Sequence, residues 1–337
     1  MRVVKVAIAG LGGVGRATAE LLLSRRGRYR EVYATDVRLA AACGSRSGRA
    51  DPDGLEASDL DALEDGRTGP DFIAASGADI LIEAGPSDFR TGGPGLVYIH
   101  ASLSAGLDTI VVSKGALVHS GSALRQLAKS TGATLKLSGA AASALPTIDL
   151  LEHSLKGCRV VRVEGILNAT TNYLLDAMTT RGIDFHEALR QAQAGGFAEA
   201  NPSNDVDGWD TAAKLVLIAN FGLGADLTME DVQVEGIGSV TMDRVQAWRA
   251  DGVVPKLVGE LSWPDGLLRA TVGIRTYPTK DPLSQVGGKD KAIRILTEEM
   301  GETIAIASGK EPMATAAAAL KDLESLLAMR AAGPSSD

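Results

Sequence analysis

The sequence predicts an α/β protein of two domains, and three observations carry that prediction. The chain opens on an apolar run, Val3-Val4-Lys5-Val6-Ala7-Ile8-Ala9, which passes through a glycine-rich turn into a helix-forming segment from Arg16 to Leu23. Short apolar runs then alternate with helical stretches as far as Leu137, the pattern of βαβ units around a parallel sheet. Beyond Leu137 the alternation gives way to small residues, long helices and strand-like runs at 231–240, 253–263 and 268–274. That second half predicts a mixed sheet with helices on one face. A length of 337 residues suits about two domains.

Composition narrows the function classes. Hydrophobic residues make up 45% and charged residues 23%, the balance of a soluble globular protein. A net charge of −8 argues against a nucleic-acid partner and against an anionic membrane surface. No apolar run approaches the roughly 20 residues that span a membrane, and the N-terminus lacks the apolar core of a secretory signal. Cys43 and Cys158 fit neither a metal spacing nor a disulfide framework. His100, His119, His153 and His186 are scattered, with no zinc-type spacing, so metal-dependent hydrolysis is not expected. A cytoplasmic protein with a small-molecule substrate is the expectation.

The glycine turn is the first motif with chemistry in it. Gly10-Leu11-Gly12-Gly13-Val14-Gly15 is Gly-x-Gly-x-x-Gly, with a strand before it and a helix after it. The first glycine makes the tight turn, the second lets a pyrophosphate approach the backbone, and the third lets helix pack on strand. The helix N-terminus presents unpaired N–H groups and partial positive charge to phosphate. Gly10, Gly12, Gly13, Val14 and Gly15 are therefore candidate dinucleotide contacts.

The second strand decides which dinucleotide. Glu31 to Asp36 would end on an acid suited to the ribose hydroxyls of NAD. Leu39 to Cys43 is more apolar and ends in Gly44-Ser45-Arg46-Ser47, whose hydroxyls and guanidinium suit a 2′-phosphate. The second reading is preferred, because Arg25 to Arg30 reads as a polar helix end that the chain must still leave. It makes Ser45 and Arg46 cofactor contacts and favours NADP over NAD. Between Ser45 and Thr68 the chain is polar, with a turn at Asp51-Pro52-Asp53-Gly54. Two further strands, Asp79 to Ala84 and Asp108 to Val112, end in Gly85-Pro86-Ser87 and Ser113-Lys114. Ligands collect at the carboxyl ends of strands in open parallel sheets, so Gly85, Ser87 and Lys114 point at the same crevice.

In the second half, Ser138 to Pro146 is a small-residue stretch that permits close backbone approach, and Thr147 to Leu155 is helical. Val160 to Leu167 reads as a strand, after which Asn168 to Asn172 opens a helix, Tyr173 to Thr180, with side chains able to cap it. A further helix covers 183–195. Residues 196–220 then begin as a Gly/Pro/Asn loop and become a helix that is apolar on nearly every face. Glu199, Asp207, Asp210 and Lys214 lie before or inside its start. Asp210 and Lys214 are four apart, which places their Cβ atoms about 5–6 Å apart on one face. Charges set among Ala212, Ala213, Leu215 and Val216 cost several kcal/mol unless paired or used, which marks a polar substrate site. The chain closes with an alanine- and leucine-rich helix, Ala316 to Ala332, and a frayed Gly333-Pro334-Ser335-Ser336-Asp337.

Together these residues resemble homoserine dehydrogenase in its short form, without a fused kinase or a regulatory domain. The resemblance runs from about residue 3 to 325. Its most specific parts are Gly165 to Tyr173 (Gly-Ile-Leu-Asn-Ala-Thr-Thr-Asn-Tyr), Gly196 to Pro202 (Gly-Phe-Ala-Glu-Ala-Asn-Pro), and Asp205 to Lys214 (Asp-Val-Asp-Gly-Trp-Asp-Thr-Ala-Ala-Lys). Weaker matches are Val112-Ser113-Lys114, Asp281 to Gly288 and Gly309 to Ala316.

The resemblance implies NAD(P)-dependent interconversion of L-homoserine and L-aspartate 4-semialdehyde, on the route to threonine and methionine. It implies a Rossmann-type dinucleotide-binding domain, 1–136, that takes back the C-terminal segment, 304–337. An inserted α+β domain for substrate binding and dimerisation would span 137–303. Lys214 would donate a proton to the carbonyl oxygen, Glu199 and Asp210 would hold the substrate's amino and hydroxyl groups, and Lys114 would act between cofactor and substrate. Asp205 and Asp207 would shape the loop. Gly309 would be a late cofactor contact, and the protein would be a homodimer. Four positions depart from the family pattern: Asn201 stands for an acid, Ser138 for a glutamate, Ser113 for an asparagine, and a glycine cluster is reduced to Gly309. The Ser138 change weakens any carry-over of a monovalent-cation site, and no metal is assigned. Two other readings stay open: another NAD(P)-dependent amino-acid dehydrogenase, and a non-catalytic dinucleotide-binding regulator.

Overall fold

Residues 1–332 are described by a computed structural model of the chain; the predicted fraying of 333–337 lies outside the described residues. They divide into two compact units, Met1–Ala144 with the segment that starts at Gly309, and Leu145–Ser308.

Alternating apolar residues at the N-terminus build the central strand of the first unit. That unit's seven strands are β1 (Arg2–Ala9), β2 (Thr35–Cys43), β3 (Ser47–Ala50), β4 (Glu64–Asp65), β5 (Ile80–Glu83), β6 (Asp108–Val111) and β7 (Leu135–Lys136), in the spatial order β4-β3-β2-β1-β5-β6-β7. The five from β2 across β1 to β7 are parallel, while β3 and β4 add antiparallel at the edge. Because successive side chains point to opposite faces, Val4, Val6 and Ile8 enter one core and Ala7 and Ala9 the other. A strand covered on both faces is the mark of a parallel sheet with helices on each side.

The helices of this unit are α1 (Gly13–Ser24), α2 (Arg26–Tyr33), α3 (Pro70–Ala75), α4 (Gly93–Ser104), α5 (Gly115–Thr131) and α6 (Ser138–Ala142). The C-terminal helix, Met313–Ala332, returns to the sheet: its Leu320, Leu323, Leu326 and Leu327 complete the core of Val4, Val6, Ile8 and Leu22. The unit boundaries fall at 144/145 and 308/309, later than the 136/137 and 303/304 read from the sequence. One reason is that α6 belongs with the returning helix. Ser138 donates both its N–H and its hydroxyl to Asp322, at 2.9 and 2.8 Å.

The second strand does end at Cys43, as preferred above, but it starts earlier, at Thr35. Asp36 therefore lies at its beginning, held by Arg30 at 2.6 Å and Arg38 at 2.9 Å. Hydrogen bonds from Arg38 and then Arg30 hold its carboxyl below the usual range. It does not sit at the carboxyl end, where a ribose-binding acid belongs.

The second unit holds six strands, β8 (Val160–Ile166), β9 (Val232–Val234), β10 (Val253–Ser262), β11 (Arg269–Pro278), β12 (Lys291–Thr297) and β13 (Gly301–Ala307), in the order β13-β12-β8-β10-β11-β9. Only the β9–β11 pair is parallel, so the sheet is mixed. β12 and β13 are absent from the sequence reading, and β13 explains why residues 304–308 belong to this unit. The predicted strand at 231–240 stops at Val234, because Gly236 turns under the Val206 carbonyl, where a Cβ would come within 2.3 Å. Helices α7 (Thr147–Asp149), α8 (Ala169–Arg181), α9 (Phe185–Ala194), α10 (Ser203–Val206), α11 (Trp209–Leu217) and α12 (Met242–Ala250) complete the unit, and Met313–Ala332 becomes α13. α7 continues as a π-helical turn, Leu150–Ser154, and α11 as another, Ile218–Gly222. Gly259 of β10 faces Thr211 and Leu215 of α11, at 3.2 and 3.3 Å from the place of a Cβ. Its neighbour Val258 points the other way, into a cluster with Ile166, Tyr277, Leu283, Val286 and Ala292.

Candidate active site

In the first unit the glycine turn divides its labour by packing. A Cβ on Gly10, which has φ of 104°, would lie 2.5 Å from the backbone of Ala84 and Gly85, and one on Gly15 would lie 1.7 Å from the Gly10 carbonyl oxygen. Among the described residues Gly12 has nothing beyond its chain neighbours within 4 Å of that place, and Gly13 meets Pro312, at 3.9 Å. So Gly10 and Gly15 lock strand, turn and helix together, while Gly12 and Gly13 leave the start of α1 open. Val14 follows in the first turn. That turn carries no acidic residue, and its N–H groups suit a pyrophosphate. The turn lies between β1 and β5, where strand order reverses.

The other first-unit candidates lie at strand ends. Ser45 and Arg46 are exposed in the turn between β2 and β3, which Thr68 Oγ1 and Gly66 N–H brace by donating to the Gly44 and Arg46 carbonyls at 3.0 and 2.9 Å. No partner is recorded for the Arg46 guanidinium among the described residues. Gly85 N–H donates to Glu83 at 2.7 Å, and Lys114 N–H donates to Ser87 Oγ at 2.9 Å. Gly309 is pressed between Ala314 and Ala144, 2.9 and 3.1 Å from the place of a Cβ.

In the second unit, α11 starts after Gly208 and carries Asp210 in its first turn. Lys214 Nζ donates to Asp210 Oδ2 at 2.6 Å and to the Leu167 carbonyl at 2.7 Å. Both side chains are largely buried, 12% and 13% exposed. An ammonium has three donors, and no partner is recorded for the third among the described residues. The same Asp210 oxygen accepts Asn168 Nδ2 at 2.9 Å, and that amide also donates to Asp205 at 2.7 Å. Asn168 meanwhile caps α8 by accepting the Thr171 N–H at 2.9 Å. One asparagine thus starts a helix and orients two carboxylates. The sequence reading gave Asn168 only the capping role; its place at the end of a strand, before a Thr-Thr step, was the available signal.

Glu199 is exposed, in a loop held on both sides. Gln193 Nε2 donates to its backbone carbonyl at 3.0 Å, and Phe197 packs edge-on to Tyr173 with centroids 4.8 Å apart. Its carboxylate has no hydrogen-bond partner among the described residues. Asn201 serves the loop itself, accepting from the Ser203 N–H at 3.2 Å. The motif at Asp281–Gly288 also acts here. Asn172 Nδ2 donates to the Val286 and Asp290 carbonyls, each at 3.0 Å, and the fully buried Lys256 donates to Val286 O at 2.5 Å. Burial pushes that lysine's pKa down. Lys289, carried by the anchored segment, stands 4.4 Å above the Phe197 ring.

A dinucleotide turn in one unit and a largely buried lysine–aspartate pair in the other suit an NAD(P)-dependent oxidoreductase acting on a CH–OH group. Two family models match the chain: the NAD-binding domain of homoserine dehydrogenase over residues 10–138, and homoserine dehydrogenase over residues 146–323. The chain belongs to the homoserine dehydrogenase family. It is 31% identical to the homoserine dehydrogenase of Methanocaldococcus jannaschii, over 94% of this chain and 97% of that one. It is also 31% identical to the NAD(+)-dependent homoserine dehydrogenase of Pseudomonas canavaninivorans, over 95% of each. A crystal structure from Archaeoglobus fulgidus, of a protein proposed to be a homoserine dehydrogenase, superposes with a TM-score of 0.87 at 31% identity, covering 96% of this chain and 99% of that one. The two other readings of the sequence are not favoured. Among the described residues no helix is long and apolar enough to cross a membrane, and no group of three His, Cys, Asp or Glu could hold a metal.

The glycine geometry makes a paired prediction. Gly15→Ala overpacks the turn and lowers stability by about 1–3 kcal/mol or more in urea denaturation. Gly12→Ala unfolds as the wild type does and binds dinucleotide more weakly in titration calorimetry. Equal stability of the two variants would contradict this division of roles.

Proposed function

We propose that the protein interconverts L-homoserine and L-aspartate 4-semialdehyde with NADP, serving threonine and methionine biosynthesis in the cytoplasm. The observation that carries this reading is Lys214, which spends two N–H donors on Asp210 and Leu167 and keeps a third.

When bound, a nicotinamide dinucleotide would supply the hydride for reduction and accept it in oxidation. During reduction, negative charge grows on the aldehyde oxygen. The Lys214 ammonium stabilises that charge and then donates its third proton to it. In the reverse direction Lys214 takes the proton from the hydroxyl of homoserine. Asp210 aims the lysine and contacts the substrate hydroxyl, and Asn168 fixes the aspartate. Glu199, exposed and unpaired among the described residues, takes the substrate's ammonium. Lys114 is the second catalytic lysine and a cofactor contact.

Gly10, Gly12, Gly13, Val14 and Gly15 would hold the pyrophosphate, and Gly85, Ser87 and Gly309 would be further cofactor contacts. The preference for NADP rests on Ser45 and Arg46 at the carboxyl end of β2, together with Asp36 lying at its opposite end. A homodimer through the second unit's sheet is supported by two exposed apolar side chains, Leu296 (37%) and Ile306 (53%). By register they share the face of Ala292 and Ile166, opposite α11.

Purified protein is expected to change nicotinamide absorbance with L-homoserine and NADP+, and with aspartate semialdehyde and NADPH. Lys214→Ala should lose on the order of a hundredfold or more in turnover while binding cofactor as before; full activity in that variant refutes the role. Arg46→Ala should raise the Michaelis constant about tenfold for NADP, as loss of a charged hydrogen bond does, and leave that for NAD nearly unchanged. Equal effects on both cofactors count against NADP preference. Ile306→Asp should halve the mass found by light scattering, and an unchanged mass removes this face as the interface.

A further inference from the structure

Behind the loops assigned to the cofactor lies a carboxylate that the reaction does not use. Glu83 is the last residue of β5, the strand beside β1, and it is 1% exposed. No cation is recorded as its partner among the described residues. Instead one oxygen accepts the Gly85 N–H at 2.7 Å and the other accepts the hydroxyl of Ser113 at 2.6 Å. The two donors come from different crevice loops, one after β5 and one after β6.

The surroundings fit the carboxylate closely. A Cβ on Gly85 would stand 2.8 Å from Glu83 Oε1, and one on Gly95, in the first turn of α4, would stand 2.9 Å from it. Above the carboxylate the same loops meet twice more. Lys114 N–H reaches Ser87 Oγ at 2.9 Å, and a Cβ on Gly115 would strike the Asp88 backbone at 2.5 Å. Gly85 is also the seat for Gly10, whose missing Cβ would come within 2.5 Å of its nitrogen. A shift of Gly85 therefore reaches the first glycine of the dinucleotide turn.

We propose that Glu83 is a positioning residue of the dinucleotide site, a tether that sets the distance between loop Gly85–Ser87 and loop Ser113–Lys114. The proposal rests on the assignment of those loops to the cofactor. A side chain with two acceptors facing opposite ways can hold two donors at once, and a carboxylate does so. Removing it leaves a half-buried amide N–H and a buried hydroxyl without partners, which the loops relieve by moving. Burial pushes the carboxyl's pKa up, and the Ser113 and Gly85 donors oppose that shift. Ser113, the residue that departs from the family's asparagine, is short enough to lie under Gly95, with its Oγ 3.3 Å from the place of a Cβ there.

The test measures dissociation constants for NADP+ and NAD+ by calorimetry on Glu83→Ala, Glu83→Gln and Ser113→Ala, with hydrogen exchange on each. Glu83→Ala should weaken both cofactors on the order of tenfold, about 1.4 kcal/mol, and speed exchange at 84–90 and 112–116 in the absence of cofactor. Glu83→Gln should stay within about threefold of wild type, because the Ser113 hydroxyl can turn to accept from the amide. If Glu83→Ala does not fold, Ser113→Ala carries the test, with a loss of about threefold expected from one missing hydrogen bond. In the wild type, NADP+ should slow exchange at 84–90 and 112–116. Absence of that slowing overturns the loop assignment and the proposal with it. Slowing in the wild type, with either alanine variant binding as wild type does, overturns the tether alone. So does a loss in Glu83→Gln as large as in Glu83→Ala.

Discussion

The first unit depends on burying β1 on both faces. Val4, Val6 and Ile8 need a cover on one side and Ala7 and Ala9 on the other, and fully burying one such aliphatic side chain contributes about 1.5–3 kcal/mol. The nearby helices α1 and α2 supply part of the first cover, through Ala19, Leu22 and Tyr29. Leu55 and Leu60 add to it, and α13 supplies Ala319, Leu320, Leu323, Leu326 and Leu327. The second unit is accordingly an insertion in the first, which the chain leaves after α6 and rejoins at Gly309. The same packed strand presents the glycine turn: Gly10 can seat against Gly85 because β1 and β5 are locked in parallel register, from Val6 with Ile80 to Ala9 with Glu83.

The second unit obeys a different constraint, the cost of leaving charge half buried. Asp210, Lys214, Asp205 and Asn168 resolve it by sharing: one carboxylate oxygen serves an ammonium and an amide, and that amide serves a second carboxylate. Such a network holds Lys214 in one orientation and, among the described residues, uses two of its three donors. Anchoring of Val286 and Asp290 by Asn172 and Lys256 extends the same logic to the segment that carries Lys289 over Phe197.

Features that depend on nearest neighbours along the chain were legible in the sequence. The glycine turn, the end of β2 at Cys43 and the i, i+4 spacing of Asp210 and Lys214 are all local, and the family motifs supplied the rest of the candidate site. What was hidden is long-range or polar. Asn168 reaches Asp205 and Asp210 across 37 and 42 residues, a juxtaposition no local pattern contains. β3 and β4 are short edge strands in a polar stretch, without the apolar alternation that announces a strand. β12 carries Arg294, which holds Asp281 at 2.5 Å, so its apolar run reads as broken. Nothing in the strand read from Asp79 to Ala84 singles out Glu83, because one of its two donors is a serine beyond the next strand.

The return of α13 to β1 has a consequence for the order of events at the ribosome. At about 5–20 residues per second, the helix that completes the first core is made on the order of tens of seconds after the strand it covers. Over that interval the face of Val4, Val6 and Ile8 has only part of its cover, from α1 and α2, while Leu145–Ser308 emerges whole with its own sheet and helices. The inserted unit is thus the part of the chain able to finish first. The unit at the N-terminus, although synthesised earlier, is the last to close.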